Sequence, residues 1–443
     1  MGQAKGRLNV WMNGELVGLW SVGRSGHHTF TYAAGWHTHP KSRPLSLSLP
    51  ITADGQLSGR EVEHYFDNLL PDSESIRRRL SGTFKTKGID AFSLLQAIGR
   101  DCVGAIQLLP VDAPTPNVCK VECDPVTPQD IEDMLSGLGA HVGPGAMDED
   151  DGFRISIAGA QEKTALLKVG EQWCRPRHAT PTTHILKPPI GITPGRNLDL
   201  TLSPENEWLC ARILDALGLP VAQCHVERFG ARSALVVKRF DRQWQANPEW
   251  VVRVPQEDFC QVLGHASAHK YEDKGGPGME DCLRVLKGGT RYAEDGRVFL
   301  LAQLAFWLLA AIDGHAKNFS VFLLPGGRYH LTPLYDVMSA WPLIGTGADA
   351  IQYKKAKLAM AVRSQAAHYK LSEILPRHWQ AVALRSGIPF LWKDMCHMVE
   401  GAPTALEQVA QSLPADFPAS LVDSVFEGVR RHVQRFVSQV TAI

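Results

Sequence analysis

In the stretch IDGHAKNFSVFLLPGGRYHLTPLYD, Asp313 is followed five positions on by Asn318 and, past a Pro-Gly-Gly turn, by Asp336. Oxygen-bearing side chains in that pattern suit a hard cation. Magnesium takes octahedral oxygen ligands and usually accepts only one or two protein carboxylates beside waters and substrate phosphates. Phosphoryl transfer asks for such a set, because it needs positioning and neutralisation of nucleotide charge more than covalent chemistry. Protein kinases carry a base Asp, an Asn five residues later and a metal-binding Asp beyond a short hairpin, in the same order. Each residue also has a plainer reading. Asp313 with Gly314 ends a helix, Asn318 caps a turn, and Asp336 opens a loop. Three in register favour phosphoryl transfer.

The elements around them must hold this set still. The apolar run VFLLAQLAFWLLAAI, residues 298–312, predicts a buried helix that delivers Asp313 directly, with Gly314 giving the sharp exit. Upstream, residues 153–242 read as strand, strand, loop, helix, strand, strand. THILKPP is a strand ending at Lys187, the natural residue to hold the α- and β-phosphates. SPENEWLCARILDALG is a helix with Ser203 at the N-cap, Pro204 at the first position and Gly218 past its end. Glu207 on that helix is a candidate partner for the lysine. Glu205 reads as an acid favouring the helix dipole. The strand SALVVKRFDR ends where a hinge would stand, so the backbone of Lys238, Arg239 and Phe240 is a candidate adenine contact, balanced against an ordinary strand terminus. The tip AGAQEK has one glycine, Gly159, and on its residues alone is a plain hairpin tip; neither GxGxxG nor a Walker loop occurs.

The first 150 residues open with β structure. Asn13-Gly14 marks a hairpin, HTFTYAAGW and LSLSLP alternate as strands, REVEHYFDNLLPDSESIRRRL and DAFSLLQAIGRD have helical spacing, and VGAIQLLP is a strand. From Pro255 on, nearly everything reads helical apart from a short β pair at 319–335. The expected fold is α+β: a two-lobed protein-kinase-like fold with a β-rich N-terminal half, an extra N-terminal α/β subdomain and an all-helical C-terminal half. The expected division is 1–150 for recognition, 151–254 for nucleotide binding and 255–443 for the catalytic and metal-binding loops.

Bulk composition removes other classes. Lys plus Arg and Asp plus Glu are 46 each, so no general basic coat for nucleic acid exists. Nine scattered cysteines form neither a disulfide frame nor a zinc motif and point to a reducing compartment. No signal-like or membrane-length apolar segment is read, so the expectation is a cytoplasmic protein without a membrane partner.

The motifs YFDNLLPDS, GRDCVGAIQLLP, DGFRISIAGAQEKTALL, HILKPP, KRFDR, RVPQEDFCQ, DGHAKNFSVF and LYDVMSA together resemble the HipA-type serine/threonine kinases of bacterial toxin–antitoxin modules, across nearly the whole chain. The resemblance implies Asp313 as catalytic base, with Asn318 and Asp336 holding Mg2+. It implies that ATP is bound by Lys187, by Lys238, Arg239 and Phe240, by His315 and Lys317, and by a phosphate-covering loop of Ala158, Gly159, Ala160, Gln161, Glu162 and Lys163. Lys238 stands where one member of the family carries a glutamate, a swap that backbone contacts survive. Ser156 matches the autophosphorylated serine; about two negative charges there would disfavour a loop approaching ATP phosphates and switch the enzyme off. The implied partners are a helix-turn-helix antitoxin dimer, operator DNA through that complex, and a protein substrate, glutamyl-tRNA synthetase, whose modification would halt translation and produce persistence. Arg377 and His378 in ILPRHW are candidate phosphate contacts there, against a solvated helix start. Two other readings stand beside the toxin kinase: a small-molecule kinase of the aminoglycoside-phosphotransferase type, and a catalytically idle DNA-binding corepressor.

Overall fold

Asn13 and Gly14 both adopt left-handed backbone, φ 48° and 82°, which a two-residue hairpin turn requires. They join strands Ala4–Met12 and Glu15–Gly23, with Met12 opposite Glu15. In the computed structural model, which describes residues 4–138, 158–159, 161–193, 195–246 and 249–440, this hairpin is the middle of a five-stranded antiparallel sheet. The spatial order is Gln56–Ser58, His28–Tyr32, Glu15–Gly23, Ala4–Met12, Ile106–Pro110. Helices Arg60–Asp67 and Ala91–Ile98 pack on it through Trp20, whose ring stacks on Phe66 at 3.9 Å and meets Phe92 edge-on at 5.1 Å.

Two sequence expectations fail in this part. LSLSLP forms no strand. Pro44 and Pro50 bracket it, Ser46 and Leu49 make a lone bridge, and the Ser46 and Ser48 hydroxyls donate to Gln261 O. The long helical pattern from Arg60 is two helices, Arg60–Asp67 and Glu74–Thr83, because Pro71 cannot continue the first.

The chain divides into two compact units: Met1–Pro188 with Glu227–His269 and Ser320–Tyr329, and Pro189–Val226 with Lys270–Phe319 and His330–Ile443. The first unit holds a second antiparallel sheet, with neighbouring strands Arg232–Lys238, His184–Lys187, Thr164–Val169, Gln172–Pro176 and Cys123–Pro125. Charge joins this region to the first sheet. Asp101 takes Arg242 at 2.9 Å, Arg253 at 3.2 Å and Arg239 at 3.4 Å, while Asp241 takes Arg239 at 2.9 Å and Arg242 at 3.0 Å. All five side chains are buried. Burial works against the Asp101 charge, yet Arg242, Arg239 and Arg253 hold its carboxyl well below the usual carboxylate range.

The second unit is built on the helix Tyr292–Leu309, buried nearly all round. It ends where Ala310 turns left-handed, φ 49°. Helix Ala419–Val440 lays His432 flat on Trp307, ring centres 4.1 Å apart, with His432 also bonded to Tyr353 Oη at 2.7 Å. The unit is not all helical as expected. Lys357–Arg363 and Ala367–Lys370 pair as an antiparallel hairpin, in a stretch whose alanines and lysines favour helix by propensity. The helix with Pro204 begins at Ser203, one residue earlier than expected, with Leu202 at the cap. The Ser203 hydroxyl instead accepts the Ile190 N–H at 2.9 Å. Among the described residues, no helix is long and apolar enough to cross a membrane.

Candidate active site

The turn after the Tyr292–Leu309 helix carries the chemistry of the second unit. The His315 N–H donates to Asp313 O at 2.8 Å and to Asn318 Oδ1 at 3.1 Å, so one amide ties both residues together. Asn318 Nδ2 stands 3.3 Å from Asp336 Oδ2. Tyr335 donates its hydroxyl to Lys317 O at 2.8 Å, joining the segment before Asp336 to the same turn. Asp336 itself has φ 61°, a left-handed backbone that non-glycine residues rarely adopt. Behind it, the Ser339 hydroxyl donates to Leu309 O at 2.6 Å, and Asn206 exchanges two hydrogen bonds with the Ser339 backbone. Two helices thereby brace the Asp336 segment.

Asp313 is exposed, whereas His315, Lys317 and Asn318 are buried. An exposed carboxylate on a braced turn can accept a proton from an arriving hydroxyl. Its side chain is aimed by a residue that sequence reasoning missed: Tyr271 Oη donates to Asp313 Oδ1 at 2.5 Å, and the same ring stands edge-on to His315 at 5.0 Å. Gly314 is needed for space and not for backbone freedom, since a Cβ there would lie 2.4 Å from the Phe306 ring and its φ is not positive. The Asp336 carboxylate suits a hard divalent ion; Asn318 turns Nδ2 toward that carboxylate and gives Oδ1 to the His315 N–H, a carbonyl oxygen that keeps a second lone pair for a cation. Among the described residues, no cluster of three or more His, Cys, Asp or Glu makes a cage for one. Glu205 stands in the first turn of its helix, and burial raises its carboxyl from the ordinary value. Glu207 is also buried.

In the first unit, Lys187 ends a strand opposite Leu235 and is buried. Gly159, φ 115°, receives the Asp72 N–H on its carbonyl at 3.0 Å, and Gln161 Nε2 donates to Pro188 O at 3.0 Å. Lys163 Nζ reaches Ala158 O at 2.7 Å, and Glu162 pairs with Arg79. The expected hinge is corrected at Arg239. Its guanidinium lies in the buried charge cluster, its N–H donates to Thr183 O at 2.9 Å, and its carbonyl accepts from Arg242 at 3.3 Å. Lys238, exposed, and Phe240, half-buried and edge-on to Phe322 at 5.7 Å, remain as nucleotide candidates. His378 is also corrected as a phosphate contact. It is buried, stacked on His368 at 3.7 Å, and burial pushes its pKa down to about 4, so it is no exposed cation; Arg377 is exposed. Ser156 and Ala160 lie outside the described residues.

Comparison with known proteins adds independent findings. A family model described as the HipA-like C-terminal domain matches residues 155–417, and one for the HipA N-terminal domain matches residues 8–109. The putative kinase Y4mE of Sinorhizobium fredii is 33% identical over 409 residues, 91% of this chain and 92% of that protein. The serine/threonine-protein kinase toxin HipA of Shewanella oneidensis is 27% identical over 390 residues, 84% of this chain and 82% of that one. The solved HipA from the Shewanella oneidensis complex of HipA, HipB and operator DNA superposes with a TM-score of 0.80, at 23% identity and 98% coverage of both chains, which shows a common fold.

Proposed function

Because the chain belongs to the HipA family, we propose that it is an ATP- and magnesium-dependent serine/threonine protein kinase, the toxin of a toxin–antitoxin pair. The observation that carries the reading is the 3.3 Å approach of Asn318 to Asp336, on a turn whose His315 N–H also holds Asp313. A scaffold with no phosphate chemistry has no need of that convergence, nor of an aspartate in left-handed backbone. Asp313, aimed by Tyr271, accepts the proton of the attacking serine hydroxyl. Asn318 and Asp336 hold magnesium, which supplies charge neutralisation on the ATP phosphates. Lys187 binds the α- and β-phosphates, the 158–163 loop covers them, and Lys238, Phe240, His315 and Lys317 line the nucleotide site.

The finer division follows the same reading: residues 1–150 for recognition, 151–254 for nucleotide, 255–443 for catalysis. Ser156 is the autophosphorylation site, its charge disfavouring loop approach to ATP. The Shewanella protein was solved with HipB and operator DNA, and a helix-turn-helix antitoxin with its operator is the corresponding partner here. The proposed substrate is glutamyl-tRNA synthetase, in a reducing cytoplasm. Incubation of purified protein with labelled ATP and magnesium tests this. Label on Ser156, lost by several powers of ten in rate in Asp313→Ala, is the expected result. A wild type that neither binds nucleotide nor takes label overturns it.

A further inference from the structure

Glu162 presents a problem in electrostatics. A loop that closes on a triphosphate should not bring a bare carboxylate with it, because like charges at contact distance repel by one to several kcal/mol. The structure answers with Arg79 on the helix Glu74–Thr83, which takes Glu162 in a two-pronged pair. Nη1 meets Oε1 at 2.6 Å and Nη2 meets Oε2. Fork-to-fork pairing fixes direction as well as charge. Three residues earlier, Gly159 forms a parallel bridge with Pro71 and accepts the Asp72 N–H at 3.0 Å. Gly159 has φ 115°, a backbone conformation that side-chain-bearing residues rarely adopt. The N-terminal segment thus grips the loop at two points, Pro71 and Asp72 on Gly159 and Arg79 on Glu162, both from the one short stretch Pro71 to Arg79.

We propose that Arg79, together with the Pro71–Asp72 turn, holds Gly159 and Glu162 of the phosphate-covering loop in place and cancels the Glu162 charge, so that the N-terminal subdomain sets the affinity for ATP. The proposal rests on the phosphate-covering reading of that loop. Arg79 is a positioning residue; it acts through Glu162.

The test is a double-mutant cycle on the full chain, reading Kd for ATP with a fluorescent nucleotide, KM and kcat for autophosphorylation, and Tm. Arg79→Ala is expected to weaken ATP about fivefold, the worth of a half-buried ion pair of about 1 kcal/mol, with kcat within about twofold. In a Glu162→Gln background the same change should cost nothing further, because the charge it cancels is gone. Unchanged ATP affinity in Arg79→Ala, or equal losses in both backgrounds, overturns the latch while leaving the kinase reading intact. A drop in Tm without any change in Kd assigns Arg79 to stability alone and overturns it too. A wild type that binds no ATP is a different failure, that of the functional reading itself.

Discussion

Tyr271 reaches an exposed aspartate from 42 positions away in sequence, and what it gives Asp313 is direction. An exposed carboxylate on a turn samples several rotamers, and one hydrogen bond narrows them to the one that meets a substrate hydroxyl. Tyr271→Phe keeps the ring against His315 and removes only the hydroxyl. Its expected effect is a fall in kcat of about tenfold with KM for ATP unchanged, measured by steady-state kinetics. Gly314→Ala tests the other constraint on the turn. With a Cβ 2.4 Å from Phe306, either the ring or the turn must shift, at a cost of about 1–3 kcal/mol. Both a lower Tm and a kinase rate reduced more than tenfold are expected. The sequence showed Asp313, Asn318 and Asp336 because they lie within one short span. Tyr271 was invisible because only the folded chain brings Lys270 and Ala316 together, by a backbone bond of 3.4 Å. Gly314 was noticed for the wrong reason, since spacing says nothing about which ring will sit above it.

Among elements, the motifs GRDCVGA and KRFDR acquire a single explanation. Asp101 from the first and Arg239, Asp241 and Arg242 from the second, with Arg253, form one buried cluster. Removing one partner from such a cluster leaves its opposites buried and uncompensated, which costs far more than the pairing adds. Asp101→Asn should therefore lower unfolding free energy by about 3–5 kcal/mol in a denaturant titration, whereas a surface pair such as Arg78 with Glu74 should be nearly neutral when broken. Element types with strong local signals were readable: the Asn13-Gly14 hairpin, the buried run after Tyr292, and the helix with Pro204. The 45–50 segment was not, because alternation alone cannot report that Ser46 and Ser48 serve Gln261. Nor was the Lys357–Arg363 hairpin, whose pairing overrides the helix-favouring composition of its strands.

For the molecule as a whole, pH is the informative variable. Burial pushes the Glu257 carboxyl up to about 8, so its fold-specific stability is complete below the ordinary value near 4.5 and is lost as pH rises toward 8. Burial pushes His378 down to about 4 and His432 down to about 3. Their stability is present above about 6.5 and lost as pH falls toward those values. Below about 6.5 the lowered histidines, His28 with them, add stability as pH rises while the raised carboxyls Glu257, Glu205 and Asp295 subtract it; above about 6.5 the histidines are spent and Glu257 makes stability fall. A fall in Tm from about pH 6.5 toward 8 is expected. Glu257→Gln should flatten the alkaline side, and an unchanged slope there would show that Glu257 is not its source.

Asp101 has a consequence for synthesis. Its three counter-ions emerge from the ribosome long after it does, the last of them, Arg253, 152 positions later. Until then the nascent first module carries a carboxylate with no resident cation and must keep it wet. The opening third of this chain therefore completes its fold late, and a ribosome paused before codon 239 would display a module still open at that seam.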